Sequence, residues 1–350
     1  MRLFVIILIT VILAGFGWML AHLVPAAGWF VAMEPKLVDQ CRGVDIASGT
    51  EDIAIDHDMN IAFISAADRR GWYNETGEPF NPKNGIYTLS LDGADTVTKV
   101  SPPMDNFLPH GISLWKSPNG EKRLFVVNHP TTGEEIVEIF GIGDNGALTH
   151  LDSISFDAMH SPNDVLAVGM RSFYATNDRG YEEGVMATLE AYMALPFSSV
   201  VYFDGEEGRI IKKGMTYANG INMSADGSEV YVAEFLKRRV AIFERDQSTG
   251  ALRKLRSLKT STGPDNIDVA EDGALWIGGH TKVFEFLKHA KDENAVAPSH
   301  VVRIDPASGE SEDVFISTDG EINASSVAAT TDDTLLVGAV FDGHVMVCPR

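Results

Sequence analysis

Six short clusters of polar residues recur along this chain, and each opens a stretch with the composition of a β-strand. They are Glu51-Asp52, His110-Gly111, Asn163-Asp164, Asn219-Gly220, Asp265-Asn266 and Asn323-Ala324-Ser325-Ser326. Calcium binds about six to eight hard oxygen donors of this kind, whereas zinc and copper favour Cys and His ligands. An Asn or Asp at one strand start usually only caps a turn. The shared phase of six clusters favours a calcium site, and its candidate ligands are Glu51, Asn163, Asn219, Asp265 and Asn266.

The elements that must position these clusters form a repeat. A second run of apolar or β-branched residues follows each cluster by about 10–15 residues, often after an Asx-Gly turn. The markers of these runs, spaced 45–62 residues apart, are Phe63, Phe125, Phe173, Tyr231, Trp276 and Leu336. Each interval fits about four short strands, the size of a propeller blade. We therefore predict an all-β, six-bladed β-propeller with short helical insertions at 182–196 and near 284–292, in which the innermost strands gather the clusters around one channel.

The N-terminus has a different character. No Asp, Glu, Lys or Arg occurs from Leu3 to Met33, a stretch long enough to cross a hydrocarbon core of about 30 Å as a helix. With Arg2 before the stretch, the positive-inside rule places the N-terminus in the cytoplasm and the rest outside. We predict a membrane-anchoring segment over 1–33 and an exported propeller domain over 34–350. The alternative is secretion after signal cleavage, for instance behind Ala26.

If the domain is exported, its two cysteines can form a disulfide. Cys41 and Cys348 lie at opposite ends of the predicted domain, and in an oxidising compartment this arrangement favours a disulfide over two unpaired buried thiols. The closed loop of about 300 residues would stabilise the fold by on the order of 4–5 kcal/mol in the chain-entropy model. Such a bridge would lie where a closed propeller ring joins its first and last strands.

Composition narrows the classes of partner. The formal net charge is −21 and the basic residues form no cluster, which argues against nucleic-acid binding. The apolar fraction of 45% is that of a globular protein. Oligomeric state cannot be inferred from these features.

Several ordered segments resemble the paraoxonase and arylesterase family of calcium-dependent lactonases. They are GTEDIAID (49–56), LPHGIS (108–113), LFVVNHP (124–130), HSPNDVLAVG (160–169), FYATND (173–178), YANGINMSADGSEVYVAE (217–234), PDNIDVAEDGALWIGGH (264–280) and INASSVAATTDDTLLVGAVF (322–341). The resemblance runs from about Cys41 to the end of the chain, and gluconolactonase-like propellers are more distant relatives. It agrees with the predicted fold, the cysteine pair and a retained N-terminal hydrophobic segment.

The resemblance implies two calcium ions. The catalytic ion would be bound by the five ligands named above. A deeper, structural ion would be bound by Asp52, Asp164 and the backbone carbonyl of Ile112, so that neighbouring residues in Glu51-Asp52 and Asn163-Asp164 serve different ions.

The family's histidine pair matches His110 and His129. An imidazole can accept a proton from water near neutral pH, and a second imidazole can hold the first in the useful tautomer. His280 is a further candidate near the channel mouth, and Tyr217 matches an aromatic residue of the family's pocket. Two departures stand out: Arg179 occupies a position where the family usually has His, and segment 66–83 does not align, although Trp72 and Tyr73 there could cover the pocket or lie on the surface.

The expected activity is metal-assisted hydrolysis of a lactone or ester, in which calcium stabilises the oxyanion and water attacks the carbonyl carbon. The chain has no G-x-S-x-G nucleophile elbow. Organophosphate triesters could be slow promiscuous substrates. Two alternatives remain: a sugar lactonase of the gluconolactonase type, and a calcium-stabilised propeller that binds a partner without catalysis.

Overall fold

A computed structural model describes residues 2–73 and 81–350, without the side chains of His22, Trp72 and Tyr73. The expectation that Trp72 and Tyr73 cover the pocket therefore lies outside the described residues. Within them the chain forms six four-stranded antiparallel sheets, which confirms the six-bladed propeller. Every marker residue of the repeat lies on the second strand of its blade and is buried.

The strands follow one another blade by blade. Strand β1 is Arg42–Asp45. Blade one contains β2 Thr50–Asp56, β3 Ile61–Ala66, β4 Gly85–Ser90 and β5 Val97–Lys99. Blade two contains β6 Pro109–Lys116, β7 Lys122–Asn128, β8 Ile136–Ile142 and β9 Leu148–Ile154. Blade three contains β10 Pro162–Ala167, β11 Phe173–Asn177, β12 Ser198–Phe203 and β13 Gly208–Met215. Blade four contains β14 Ala218–Met223, β15 Glu229–Glu234, β16 Arg239–Arg245 and β17 Leu252–Lys259. Blade five contains β18 Pro264–Val269, β19 Leu275–Gly279, β20 Ser299–Ile304 and β21 Ser311–Ser317. Blade six contains β22 Ser325–Thr330, β23 Thr334–Ala339 and β24 His344–Pro349, and β1 is its fourth strand.

The two ends of the chain close the ring. Strand β1 pairs antiparallel with β24, from Arg42 opposite Val347 to Asp45 opposite His344. The predicted disulfide joins Cys41 to Cys348 beside this pairing, with a Cα–Cα distance of 4.2 Å. This closure gives blade six its fourth strand and pairs the edge of β24 that would otherwise be open.

Hydrogen bonds also link the innermost strand of each blade to that of the next, all the way round the channel. They join Asp52 Oδ2 to Ile112 N, Ser113 Oγ to Ala167 N, Asp164 Oδ2 to Ile221 N, Asn222 Nδ2 to Ile267 O, Asp268 Oδ2 to Thr330 N, and Ser326 Oγ to Glu51 O. The last contact gives a structural role to the sixth polar cluster, because Ser326 connects blade six to blade one. Polar residues of the repeat therefore fix the relative positions of the blades as well as facing the channel.

Over residues 2–73 and 81–350, four α-helices accompany the sheets. Helix α1 spans Arg2–Ala26, α2 Arg69–Tyr73, α3 Gly184–Met193 and α4 Val283–Lys291. Helices α3 and α4 fall within the two predicted insertions. Helices α2, α3 and α4 each connect the second strand of a blade to its third. In an antiparallel blade that connection lies at the end where the first strand begins, so all three helices lie at the end that carries the polar clusters.

Candidate active site

A cavity of about 220 Å³ opens at this end of the channel. Eight of the predicted site residues line it: Glu51, His110, His129, Asn163, Tyr217, Asn219, Asp265 and His280. Asn266 lies directly behind Glu51, and its Nδ2 donates a hydrogen bond to Glu51 Oε1 at 2.9 Å. The fold thus gathers residues from five blades at one end of the channel.

Four buried oxygens at this point have no hydrogen-bond donor among residues 2–73 and 81–350. They are Glu51 Oε2, Asn163 Oδ1, Asn219 Oδ1 and Asn266 Oδ1. An unsatisfied buried acceptor costs free energy, and native proteins rarely keep several together without a partner. The four oxygens belong to four of the five residues expected to bind the catalytic calcium. This donor set, made only of oxygen atoms, fits a calcium ion.

The charge of Glu51 is maintained despite its burial. Burial alone would raise the pKa of Glu51, but its neighbours His110, Arg69 and Asn266 outweigh this effect and hold the pKa at about 2. The carboxylate is therefore ionised at neutral pH and available as an anionic ligand. Asp265 differs, because burial raises its pKa against the opposing effect of His280.

A second pair of carboxylates lies below the first set. Asp52 accepts hydrogen bonds from the N–H groups of Ile53 and Ile112, and Asp164 accepts from those of Val165 and Ile221. Burial, together with the nearby carboxylates, raises the pKa of both groups well above the usual value. A bound cation would favour the ionised form of both carboxylates and so offset this effect. Ile112 contacts Asp52 through its N–H, which leaves its carbonyl available for the ligand role that the resemblance implies.

Close packing around this second pair explains a glycine. A methyl group on Gly111 would overlap the carboxylate of Asp164 and the backbone carbonyl of Asn163. Within the described residues, no three His, Cys, Asp or Glu side chains form a metal-binding group by themselves. The two sets described above depend instead on asparagine and backbone oxygens combined with few carboxylates.

The two predicted histidines are in direct contact, and a carboxylate follows them. His110 Nδ1 lies 2.8 Å from His129 Nε2, and His129 Nδ1 lies 2.5 Å from Glu135 Oε2. At the other end of the series, His110 Nε2 lies 3.5 Å from Glu51 Oε1. Burial lowers the pKa of His129, although Glu135 acts in the opposite direction. Sequence reasoning missed Glu135, whose only signal is its place in the connection that follows His129.

His280 lines the cavity and contacts a proposed calcium ligand. It is 4% exposed, and its Nε2 lies 2.8 Å from Asp265 Oδ2. The ring of Phe286 from α4 packs on it with a centroid distance of 4.2 Å. Its role as a pocket residue remains a prediction. Tyr217 lies at the cavity wall with a left-handed backbone, φ 51°, and packs against Phe235.

Two arginines also line the cavity. Arg69, at the start of α2, is 6% exposed and donates to the carbonyls of Gly49 and Pro109. It comes from the segment that did not align, and sequence reasoning missed it. Arg179 donates to both carboxylate oxygens of Asp178, at 2.9 and 3.1 Å. Burial would raise the pKa of Asp178, but Arg179 lowers it overall. The charge that Arg179 adds to the cavity rim is therefore balanced locally.

Comparison with known proteins shows the family. A family model described as Arylesterase matches residues 89–348. Serum paraoxonase/arylesterase 1 of Homo sapiens is 32% identical over 323 residues, which cover 88% of each chain. Serum paraoxonase/arylesterase 2 of Gallus gallus is 36% identical over 322 residues, again 88% of each chain. The chain therefore belongs to the arylesterase family, and it is an ester hydrolase.

Solved structures share the fold at low sequence identity. A gluconolactonase from Xanthomonas campestris has a TM-score of 0.56 at 15% identity, covering 91% of this chain and 96% of that chain. A luciferin-regenerating enzyme has a TM-score of 0.54 at 16% identity, covering 89% and 94%. These similarities extend over nearly the whole chain and concern its architecture.

Proposed function

We propose that this protein is a calcium-dependent hydrolase of lactones and aryl esters that holds two calcium ions. The observation that carries the proposal is the convergence of four unpartnered oxygens, from Glu51, Asn163, Asn219 and Asn266, beside the two histidines. With Asp265, these residues would hold the catalytic ion. Asp52, Asp164 and the carbonyl of Ile112 would hold the structural one.

The chain's own residues supply the proton transfers. A bound calcium ion would polarise the substrate carbonyl and stabilise negative charge on its oxygen. His110 Nε2 accepts a proton from water as the water oxygen bonds to the carbonyl carbon. When the ester C–O bond breaks, the same proton passes to the leaving oxygen. His129 holds His110 through the 2.8 Å contact between their rings.

One wall of the cavity favours apolar substrates. Tyr217, Phe235, Phe286 and Val340 line it, and Tyr217 and Phe235 pack together with a centroid distance of 5.3 Å. A polyhydroxylated sugar lactone would leave hydroxyl groups without partners against such a wall. An apolar lactone or an aromatic ester fits it better.

The direct test compares three substrates: an aliphatic lactone, an aryl acetate and a sugar lactone, each with saturating calcium and with a chelator. We expect the first two to be hydrolysed faster than the sugar lactone, and only with calcium. A preference for the sugar lactone would support the gluconolactonase alternative. Failure to hydrolyse any of the three at saturating calcium would leave the non-catalytic binding module as the better description.

Membrane anchoring through α1 belongs to the same proposal. Helix α1 is long and apolar enough to span a bilayer, a property that signal sequences share. The chain just after it is attached to the propeller: residues 26–28 are buried, Lys282 Nζ donates to the carbonyls of Gly28 and Val31, and Arg238 donates to that of Pro25. The candidate cleavage position behind Ala26 is therefore buried against the propeller in the folded protein. This packing favours an uncleaved anchor over a secreted form.

The location of the protein can be tested separately from its activity. Mass spectrometry of the mature N-terminus, with fractionation of membranes in a host that exports the chain, would establish the fate of residues 1–33. We expect the intact N-terminus in the membrane fraction, with the domain from residue 34 onward outside the cytoplasm. A mature chain that begins at Ala27 would contradict the anchor.

A further inference from the structure

We propose that Glu135 is a positioning residue that fixes the tautomers of His129 and His110, so that a carboxylate and two imidazoles act in series. The inference rests on the proposed function of the histidine pair. It concerns a residue that lies outside the segments that resemble the family and whose Oε2 lies 2.5 Å from His129 Nδ1 in the folded structure.

The direction of each hydrogen bond follows from the chemistry of the groups. An ionised carboxylate can only accept, so His129 Nδ1 must carry the hydrogen that is donated to Glu135. A neutral imidazole has one donor and one acceptor nitrogen, so His129 Nε2 is then the acceptor. The 2.8 Å contact therefore requires His110 Nδ1 to be the donor. His110 Nε2 is then the nitrogen that carries the lone pair and can accept the proton from water. Once it is protonated, the imidazolium has Glu51 Oε1 as an acceptor 3.5 Å away, which is the form of His110 that lowers the pKa of Glu51.

Without the carboxylate, the tautomer in which His129 Nδ1 carries the hydrogen loses its acceptor at Glu135. His129 could then carry its hydrogen on Nε2 and donate it to His110 Nδ1. In that arrangement His110 would carry its hydrogen on Nε2, the nitrogen that must accept a proton from water. Glu135 thus disfavours an inactive hydrogen-bond arrangement, and it does so through its contact with His129.

The local structure holds Glu135 where this role requires it. Glu135 immediately precedes β8, while His129 immediately follows β7, so the two flank one short connection. The connection turns at Gly133, φ 81°, and Asn106 Oδ1 accepts hydrogen bonds from both the N–H and the hydroxyl of Thr131. The backbone N–H of His129 donates to Leu108 O at 3.3 Å.

The test compares Glu135→Leu and Glu135→Gln with Glu134→Leu as a matched control. Glu134 is the preceding residue, has the same charge and is exposed. For Glu135→Leu we expect kcat on an aliphatic lactone to fall by about tenfold to 100-fold, with KM unchanged. This loss is at or below the lower end of the roughly 100-fold to 10,000-fold that general base catalysis contributes, because His110 itself is kept. Glu135→Gln, which keeps a hydrogen-bonding oxygen but no charge, should fall between this variant and the wild type. Glu134→Leu should behave as the wild type.

A second readout separates positioning from simple stabilisation of the loop. Nitrogen-15 NMR of labelled histidine reports the tautomer of His129 directly. We expect the Nδ1–H form in the wild type and a mixture in Glu135→Leu. An unchanged tautomer, or a kcat within about twofold of the wild type, would overturn the proposal. If the wild type hydrolysed no lactone, the proposed function would fail, whereas the NMR result would still decide what Glu135 does to the histidines.

Discussion

Asn266 donates an amide N–H to Glu51 Oε1 at 2.9 Å, although the two residues are 215 positions apart in the chain. The same amide nitrogen lies 3.2 Å from the backbone carbonyl of Glu51. With its nitrogen used in this way, Asn266 keeps its Oδ1 as one of the four buried oxygens without a donor among the described residues. The contact therefore orients two of the proposed calcium ligands at once and joins blade five to blade one.

Removing one amide oxygen from this set should abolish activity without unfolding the protein. In Asn219→Ala the ion loses a neutral ligand, and we expect kcat/KM for lactones to fall at least about 100-fold. Asn222→Ala on the same strand is the control, because that side chain bonds to Ile267 O in the next blade. The control should lose about 1 kcal/mol of unfolding free energy and keep most activity. Equal effects on activity would contradict the assignment of Asn219.

Removal of calcium should destabilise the fold, because the proposed structural ion at Asp52 and Asp164 would be lost. Asp52 and Asp164 have raised pKa values because they are buried close to other carboxylates, and a bound divalent ion would offset that repulsion. At about 100 times the dissociation constant, binding to the native state alone stabilises by about 2.7 kcal/mol. Thermal unfolding with calcium and with chelator would measure the difference. In Asp164→Asn most of this calcium-dependent difference in stability should be absent. If the melting temperature of the wild type were the same with calcium and with chelator, the structural ion would be contradicted.

Opening the Cys41–Cys348 disulfide should weaken the whole propeller. The bridge spans 307 residues, and the chain-entropy model gives a stabilisation on the order of 5 kcal/mol. We expect the double variant Cys41→Ser/Cys348→Ser to unfold at markedly lower denaturant concentration with a similar m-value. The wild type measured with reductant should match the variant. If the denaturant midpoint of unfolding fell in the variant but not in the reduced wild type, the loss would come from the substituted side chains and not from the open disulfide.

Acid stability should depend on one contact in blade five. His300 Nε2 lies 2.9 Å from Asp313, and this contact, aided by Ser261, lowers the pKa of Asp313 to about 2. An unfolded Asp titrates near pH 4, so the stabilisation is complete above about pH 4. It is lost as the pH falls from about 4 to about 2, because the unfolded chain then binds more protons. Denaturation at several pH values should show that the unfolding free energy of Asp313→Asn falls less steeply below pH 4 than that of the wild type. Identical pH profiles of the two proteins would contradict a role for this contact.

Much of the fold could be predicted from the sequence because a propeller repeats. The blade period is visible in the buried markers of each second strand, such as Phe63 and Trp276, and the polar clusters keep a constant phase before them. The positions of Cys41 and Cys348, at opposite ends of the predicted domain, indicated that the first and last strands of the ring are joined. The spacing in any one blade is irregular, but six copies of the same pattern make the blade period recognisable.

The residues that sequence reasoning missed come from connections, which have no period. Glu135 and Arg69 lie in loops or short helices whose lengths differ from blade to blade, so neither composition nor spacing places them at the channel. Sequence reasoning also had no sign that Phe286 from α4 packs on the ring of His280, because this contact depends on how the insertion folds back. Ser326 had no assigned role, since its bond to the backbone carbonyl of Glu51 follows from ring closure and has no sequence signal.

Blade six takes its outermost strand, Arg42–Asp45, from the beginning of the polypeptide and the other three from its end. During synthesis the first of these strands emerges early and must wait for its partner until His344–Pro349 has been added, about 300 residues later. A premature stop codon between Ala339 and His344 would therefore leave both β1 and β23 with an unpaired edge. Linear repeat proteins can lose a terminal unit and keep the rest folded. For this chain, nonsense mutations just before His344–Pro349 are expected to be as damaging as those near the middle of the propeller.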